Sequence, residues 1–152
     1  MKKFKFKLES VHSVREMRKE KEQLIFAQLQ NEANKVFEEI EQIEQTRLKA
    51  ITNYLDKLNR GELTNPVEME MNLRHITELD RRQREMRAVL EEKKLACSEQ
   101  GKKVAEANQQ VKITDRLREN QQNQHKLEFE REQQHSLDEL ISTNFARNMT
   151  EQ

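Results

Sequence analysis

Apolar residues fall on two long stripes. In the first half of the chain they recur at Ile25, Leu29, Val36, Ile40, Ile43, Ala50, Tyr54 and Leu58, with Phe26, Phe37, Ile51 and Leu55 widening the stripe. In the second half they recur at Met69, Leu73, Ile76, Leu79, Met86, Leu90, Cys97, Val104, Val111 and Leu117, interrupted at Gln83 and Gly101. Steps of three, four or seven place side chains on one side of an α-helix and repeat as a heptad-like seam. Such a seam loses its contact with water only against another helix.

Strong punctuation occurs once, at Asn59-Arg60-Gly61-Glu62-Leu63-Thr64-Asn65-Pro66. Gly61 suits the left-handed residue that follows a helix C-terminus. Asn65, Pro66 and Glu68 suit the N-cap, first and third positions of the next helix. Upstream, Ser13 and Glu16 have capping-box spacing, although Val11 and Val14 favour a start nearer Glu9 or Ser10. The expected organisation is a basic and aromatic segment over 1–10, a first helix over 11–60, a turn over 61–65, a second helix over 66–144 and a flexible tail over 145–152. The fold class is therefore all-α: a long antiparallel two-helix coiled coil, an α-hairpin whose second helix is longer than the first. At 1.5 Å per residue the helices are roughly 75 and 115 Å long.

A short turn sets a register in which facing residue numbers sum to about 125. Glu38, Glu41 and Glu44 then oppose Arg87, Arg84 and Arg81, and Ile25 meets the gap at Gln100 and Gly101. Residues beyond Asp115 are left without an intramolecular partner, and the sequence there turns polar, from Glu119 to Lys126.

Composition narrows the functional classes. The chain has 152 residues, 34% hydrophobic and 37% charged, with two glycines and one proline, too few to punctuate a β or α/β fold. Lys+Arg 28 against Asp+Glu 28 argues against a disordered polyelectrolyte and against phosphate binding along the whole chain. Cys97 is the single cysteine, so no intramolecular disulfide forms, and its flanks suggest a packing position. No apolar run is long enough for a signal peptide or membrane span, and a cytosolic protein is expected. Phosphate-loop, nucleophile-elbow and metalloprotease motifs are absent from the sequence. His12, His75, His125 and His135 lack metal-ligand spacing and are expected at the surface or on a helix flank. These readings point away from an enzyme, a cofactor or a metal.

Two regions depart from the uniform helical composition. At the N-terminus Phe4, Phe6 and Leu8 alternate with Lys2/Lys3, Lys5 and Lys7, a strand-like alternation too short for a sheet of its own. At the turn, Tyr54, Leu55, Leu58, Leu63, Met69, Met71 and Leu73 supply more apolar surface than a turn requires. The residues alone leave open a structural or tethering coiled-coil dimer. They also leave open an adaptor that uses the N-terminal lysines on RNA or anionic lipid.

The opening run Phe4-Lys5-Phe6-Lys7-Leu8-Glu9, followed by Val11 and Arg15 and then by a Glu/Lys/Gln-rich hairpin, resembles the FliJ family of the flagellar type III export apparatus. The resemblance implies a non-enzymatic coiled-coil stalk that inserts the end bearing both termini into the export ATPase ring and promotes ring assembly and activity. It also implies a link from the turn to the export gate protein and escort of export chaperones. By position, the ATPase-binding candidates are Phe4, Phe6, Leu8, Val11 and Arg15, with Arg116, Arg118 and Lys126 on the second helix. The gate candidates at the tip are Tyr54, Leu55, Leu58, Leu73 and Ile76. No nucleic-acid partner is implied, and membrane association would be indirect, through the export apparatus at the cytoplasmic face of the inner membrane. The free protein is expected to be a monomer.

Overall fold

A computed structural model describes residues 3–62 and 65–151. Two helices make up the fold, α1 (Glu9–Asn59) and α2 (Pro66–Thr150), of 51 and 85 residues, arranged as a helical hairpin. α1 begins at Glu9, so Ser13 and Glu16 lie inside the helix instead of capping it. α2 runs on to Thr150, through residues that the sequence placed in a tail. Leu63 and Thr64 of the expected turn, and Lys2 of the basic segment, lie outside the described residues.

The helix ends follow the local chemistry. Gly61 takes φ 70°, which an L side chain adopts only with strain. With Gly61 in that conformation its N–H donates to the Leu58 carbonyl (3.2 Å), and the Glu62 N–H donates to the Lys57 carbonyl (3.1 Å). This pair of crossed bonds satisfies carbonyls that the end of α1 would otherwise leave open. Across the turn, Asn65 Oδ1 accepts from the Val67 N–H at 3.0 Å, and its carbonyl accepts the first helical bond, from Met69, at 3.1 Å. Pro66 occupies the first helical position, where a missing N–H costs nothing.

Packing divides the chain into two units, Lys21–Ala105 and Met1–Glu20 with Glu106–Gln152. In the first, α1 and α2 run antiparallel: Glu22 faces Gln100, Glu32 faces Lys93, Glu44 faces Gln83 and Arg47 faces Asp80. These sums, 122 to 127, bracket the register expected from the turn. Phe26, one residue from the expected Ile25, comes nearest to Gly101; a Cβ there would sit 3.5 Å from Phe26 Cε2. Ile40, Ile43 and Leu90 are buried, but so are Gln83 and Gln100. The apparent break at Gln83 is thus a seam position filled by a polar side chain. Gln100 Nε2 donates to the Glu22 carbonyl at 3.0 Å and to its carboxylate, so its burial is compensated.

The expected bridges from Glu41 and Glu44 to Arg84 and Arg81 do not describe this packing. Arg81 pairs with Glu78 and Glu85, and Arg84 with Asp80, all within α2, while Glu44 pairs with Arg47 on its own helix. Partners three or four residues away are already adjacent on one helix and need no further ordering to meet. Arg87 contributes only a longer-range attraction to Glu44.

In the second unit the helices are again antiparallel, with Glu9 facing Arg118, His12 facing Thr114 and Arg15 facing Gln110. Arg118 and His125 of α2, beyond Asp115, do have partners, in Glu9, Phe6 and Phe4, contrary to the expectation from helix lengths alone, whereas the expectation is not overturned further along. Residues 3–6 are non-helical and a turn at Lys7 and Leu8 leads into α1, and the contacts of Phe4 with His125 and of Phe6 with Arg118 lay this segment along α2 past the start of α1. From Glu130 to Glu151 every residue is exposed, although α2 remains helical to Thr150.

Candidate functional site

The alternation of the N-terminal segment is realised as two faces. Phe4 and Phe6 both turn toward α2, while Lys3, Lys5 and Lys7 are exposed. Phe6 keeps only 9% of its surface and lies with its ring centroid 5.6 Å from the Arg118 guanidinium carbon. Phe4, half-buried, meets the His125 ring at 5.6 Å between centroids and a tilt of 56°. Arg118 is held from the other side by both carboxylate oxygens of Glu9, at 2.5 and 2.6 Å. One arginine thereby joins the aromatic segment, the first turn of α1 and the face of α2. The Phe6 carbonyl accepts from the Glu9 N–H at 3.2 Å, and the Leu8 carbonyl from the His12 N–H at 2.8 Å, so the segment leads directly into the helix.

The remaining candidates at this end divide by exposure. Leu8, Val11, Arg116 and Lys126 are exposed, and Val14 and Met17 add exposed apolar surface that the sequence reading did not assign to the site. Arg15 is half-buried and donates to the Gln110 carbonyl at 3.0 Å, lining an open groove with Arg18, Glu106 and Gln109. Cations and apolar side chains are therefore side by side at the surface, while the aromatic rings are turned inward.

His12 is the main correction in this region. Instead of lying at a surface or flank it is 1% exposed, between the two helices. Nδ1 lies 2.6 Å from Thr114 Oγ1, and Nε2 lies 3.1 Å from Glu16 Oε1 and 3.2 Å from Asp115 Oδ1. The signal was present in the numbering: 12, 15, 19 and 22 continue the steps of three and four in α1, as 107, 111, 114 and 118 do in α2. Reading the seam by apolar residues alone passes over them.

At the other end of α1, Tyr54 and Ile76 are half-buried, and Leu55, Leu58 and Leu73 are exposed along with Val67 and Met71. These side chains form apolar surface close to the turn in sequence. Among the described residues, no group of three His, Cys, Asp or Glu side chains is arranged to hold a metal ion. No helix among them is long and apolar enough to cross a membrane.

Comparison with known proteins gives one match. The model of the family described as Flagellar FliJ protein matches residues 4–150. No curated protein matches the chain, and no solved structure does.

Proposed function

From the premise that the chain belongs to the FliJ family and is a flagellar export-related protein, we propose that it is the non-enzymatic stalk of the export ATPase. In this role it inserts the end bearing both termini into the ATPase ring, promotes ring assembly and activity, contacts the export gate protein through the turn and escorts export chaperones. The observation that carries the reading is the clasp at Arg118, which gathers the candidates Phe4, Phe6, Leu8, Val11 and Arg15 with Arg118 in one unit. Exposed lysines and the apolar Leu8, Val11 and Val14 then offer weak, exchangeable contacts to surrounding subunits.

The work of such a stalk is binding, not bond chemistry. It shifts the closure of ring subunits only as far as it binds their conformations unequally. Tyr54, Leu55, Leu58, Leu73 and Ile76 are assigned to the gate by their place near the turn. Paired substitutions test this division: Phe4→Ala with Phe6→Ala weakens ATPase stimulation, whereas Tyr54→Ala with Leu58→Ala spares stimulation and weakens gate binding. Equal loss of stimulation by both pairs, with helicity intact, contradicts it.

A tethering coiled coil without an ATPase partner is the second reading. Its support is the exposed series Leu137, Leu140, Ile141, Phe145 and Met149, at helical spacing on the last part of α2. Light scattering separates the two, since the stalk is a monomer when free and the tether a stable dimer.

A further inference from the structure

We propose that the N-terminal segment is a releasable latch: docked on α2 it covers Phe4 and Phe6, and the export ATPase takes these rings only once the segment has left α2. The inference rests on the stalk reading and adds to it a competition at the same site.

The starting point is what the rings already touch. Phe6 keeps 9% of its surface, with its ring against the Arg118 guanidinium, and the half-buried Phe4 ring meets His125. Ring surface covered by α2 is not covered by a second protein at the same time. A partner that buries these rings therefore displaces α2 from them.

The segment is held lightly enough for that displacement. Among the described residues, no hydrogen bond or ion pair joins residues 3–7 to α2; the Phe6 carbonyl accepts from the Glu9 N–H, within its own stretch of chain. Lys3, Lys5 and Lys7 are exposed, so release breaks no salt bridge and returns conformational freedom to the segment. Release also has a stopping point. Glu9 holds Arg118 through both carboxylate oxygens, and His12 Nδ1 lies 2.6 Å from Thr114 Oγ1, so the start of α1 stays on α2 when the rings leave.

Docking then acts as an internal competitor. A partner that binds only the released segment has its affinity lowered by the released fraction, so loosening the dock raises apparent affinity even though a contact is lost. His125 is the place to loosen it, because it touches the segment through the Phe4 ring and is not among the ATPase-binding candidates. If the docked segment were instead the form that the ATPase binds, the same change would weaken the interaction. The sign of the effect separates the two.

Stimulation of the cognate export ATPase by the full chain, titrated for wild type and for His125→Ser, gives that sign. His125→Ser lowers the concentration for half-maximal stimulation by about two- to tenfold, the range for one aromatic pair, whereas Phe4→Ala with Phe6→Ala raises it. An unchanged or raised concentration in His125→Ser, with helicity intact, overturns the latch and leaves the stalk reading standing. Wild type that neither binds nor stimulates overturns both. A photoreactive benzophenone side chain in place of Phe4 supplies a second readout that leaves α2 unaltered. In the free chain it cross-links to α2 around His125, and with the ATPase ring present the cross-links pass to the ATPase subunits. An internal cross-link that persists undiminished in the ring-bound chain, or none in the free chain, overturns the latch.

Discussion

Gln83 of α2 donates from Nε2 to Oε2 of Glu44 on α1 at 2.5 Å, and Gln83 itself keeps only 4% of its surface. The same carboxylate accepts from Arg47 Nε and Nη2 at 3.2 and 3.1 Å, so one acid ties a polar seam position to a charged flank. Arg47 first, and Gln83 second, hold the Glu44 carboxyl below its ordinary value. A lowered acid contributes stability that is present above the ordinary carboxylate range and is lost as pH falls through the lowered value. Glu44→Gln therefore removes part of the acid-induced loss of stability in the Lys21–Ala105 unit. Thermal melts followed by circular dichroism across the acid range give the slope; an identical slope in the variant contradicts the assignment.

The two glycines respond in opposite directions to alanine. Gly61 has φ 70°, so Gly61→Ala carries the left-handed penalty and lowers stability by about 1–2 kcal/mol. Gly101 is inside α2, and an added Cβ meets Phe26 at ordinary contact distance, so Gly101→Ala raises stability by about 0.5–1 kcal/mol. Urea titrations of the two variants check both signs.

Phe6 and Arg118 act as a pair. Phe6→Ala weakens docking of the N-terminal segment by about 2 kcal/mol through lost burial. The coupling of Phe6 to Arg118 in a double-mutant cycle with Arg118→Gln is about 0.5–1 kcal/mol, the size of a partly exposed cation–π contact. Amide exchange over residues 4–12 reads both quantities, and additive single effects contradict the pairing.

Several features of this architecture are legible in the residues, each for a local reason. Gly61 and Asn65-Pro66 mark the turn because left-handed backbone and a missing N–H are tolerated in few places, and the register follows from its short span. The acid–base pairing is not legible, since Glu44 and Arg81 each have nearer partners on their own helices. His12, Gln83 and Gln100 escape an apolar reading because the seam continues through polar side chains whose partners are contributed from the other helix. The docking of Phe6 is half legible: alternation gives its face, but only tertiary packing supplies Arg118. The family resemblance carried by Phe4 to Glu9 agrees with the family match over 4–150.

The central claim is tested most directly by ATP hydrolysis of the cognate flagellar export ATPase with and without this protein, with ring assembly followed in the same samples. The stalk account predicts stimulation that is lost when residues 1–8 are deleted and retained by Tyr54→Ala with Leu58→Ala. Neither binding nor stimulation by the intact, helical protein would contradict it.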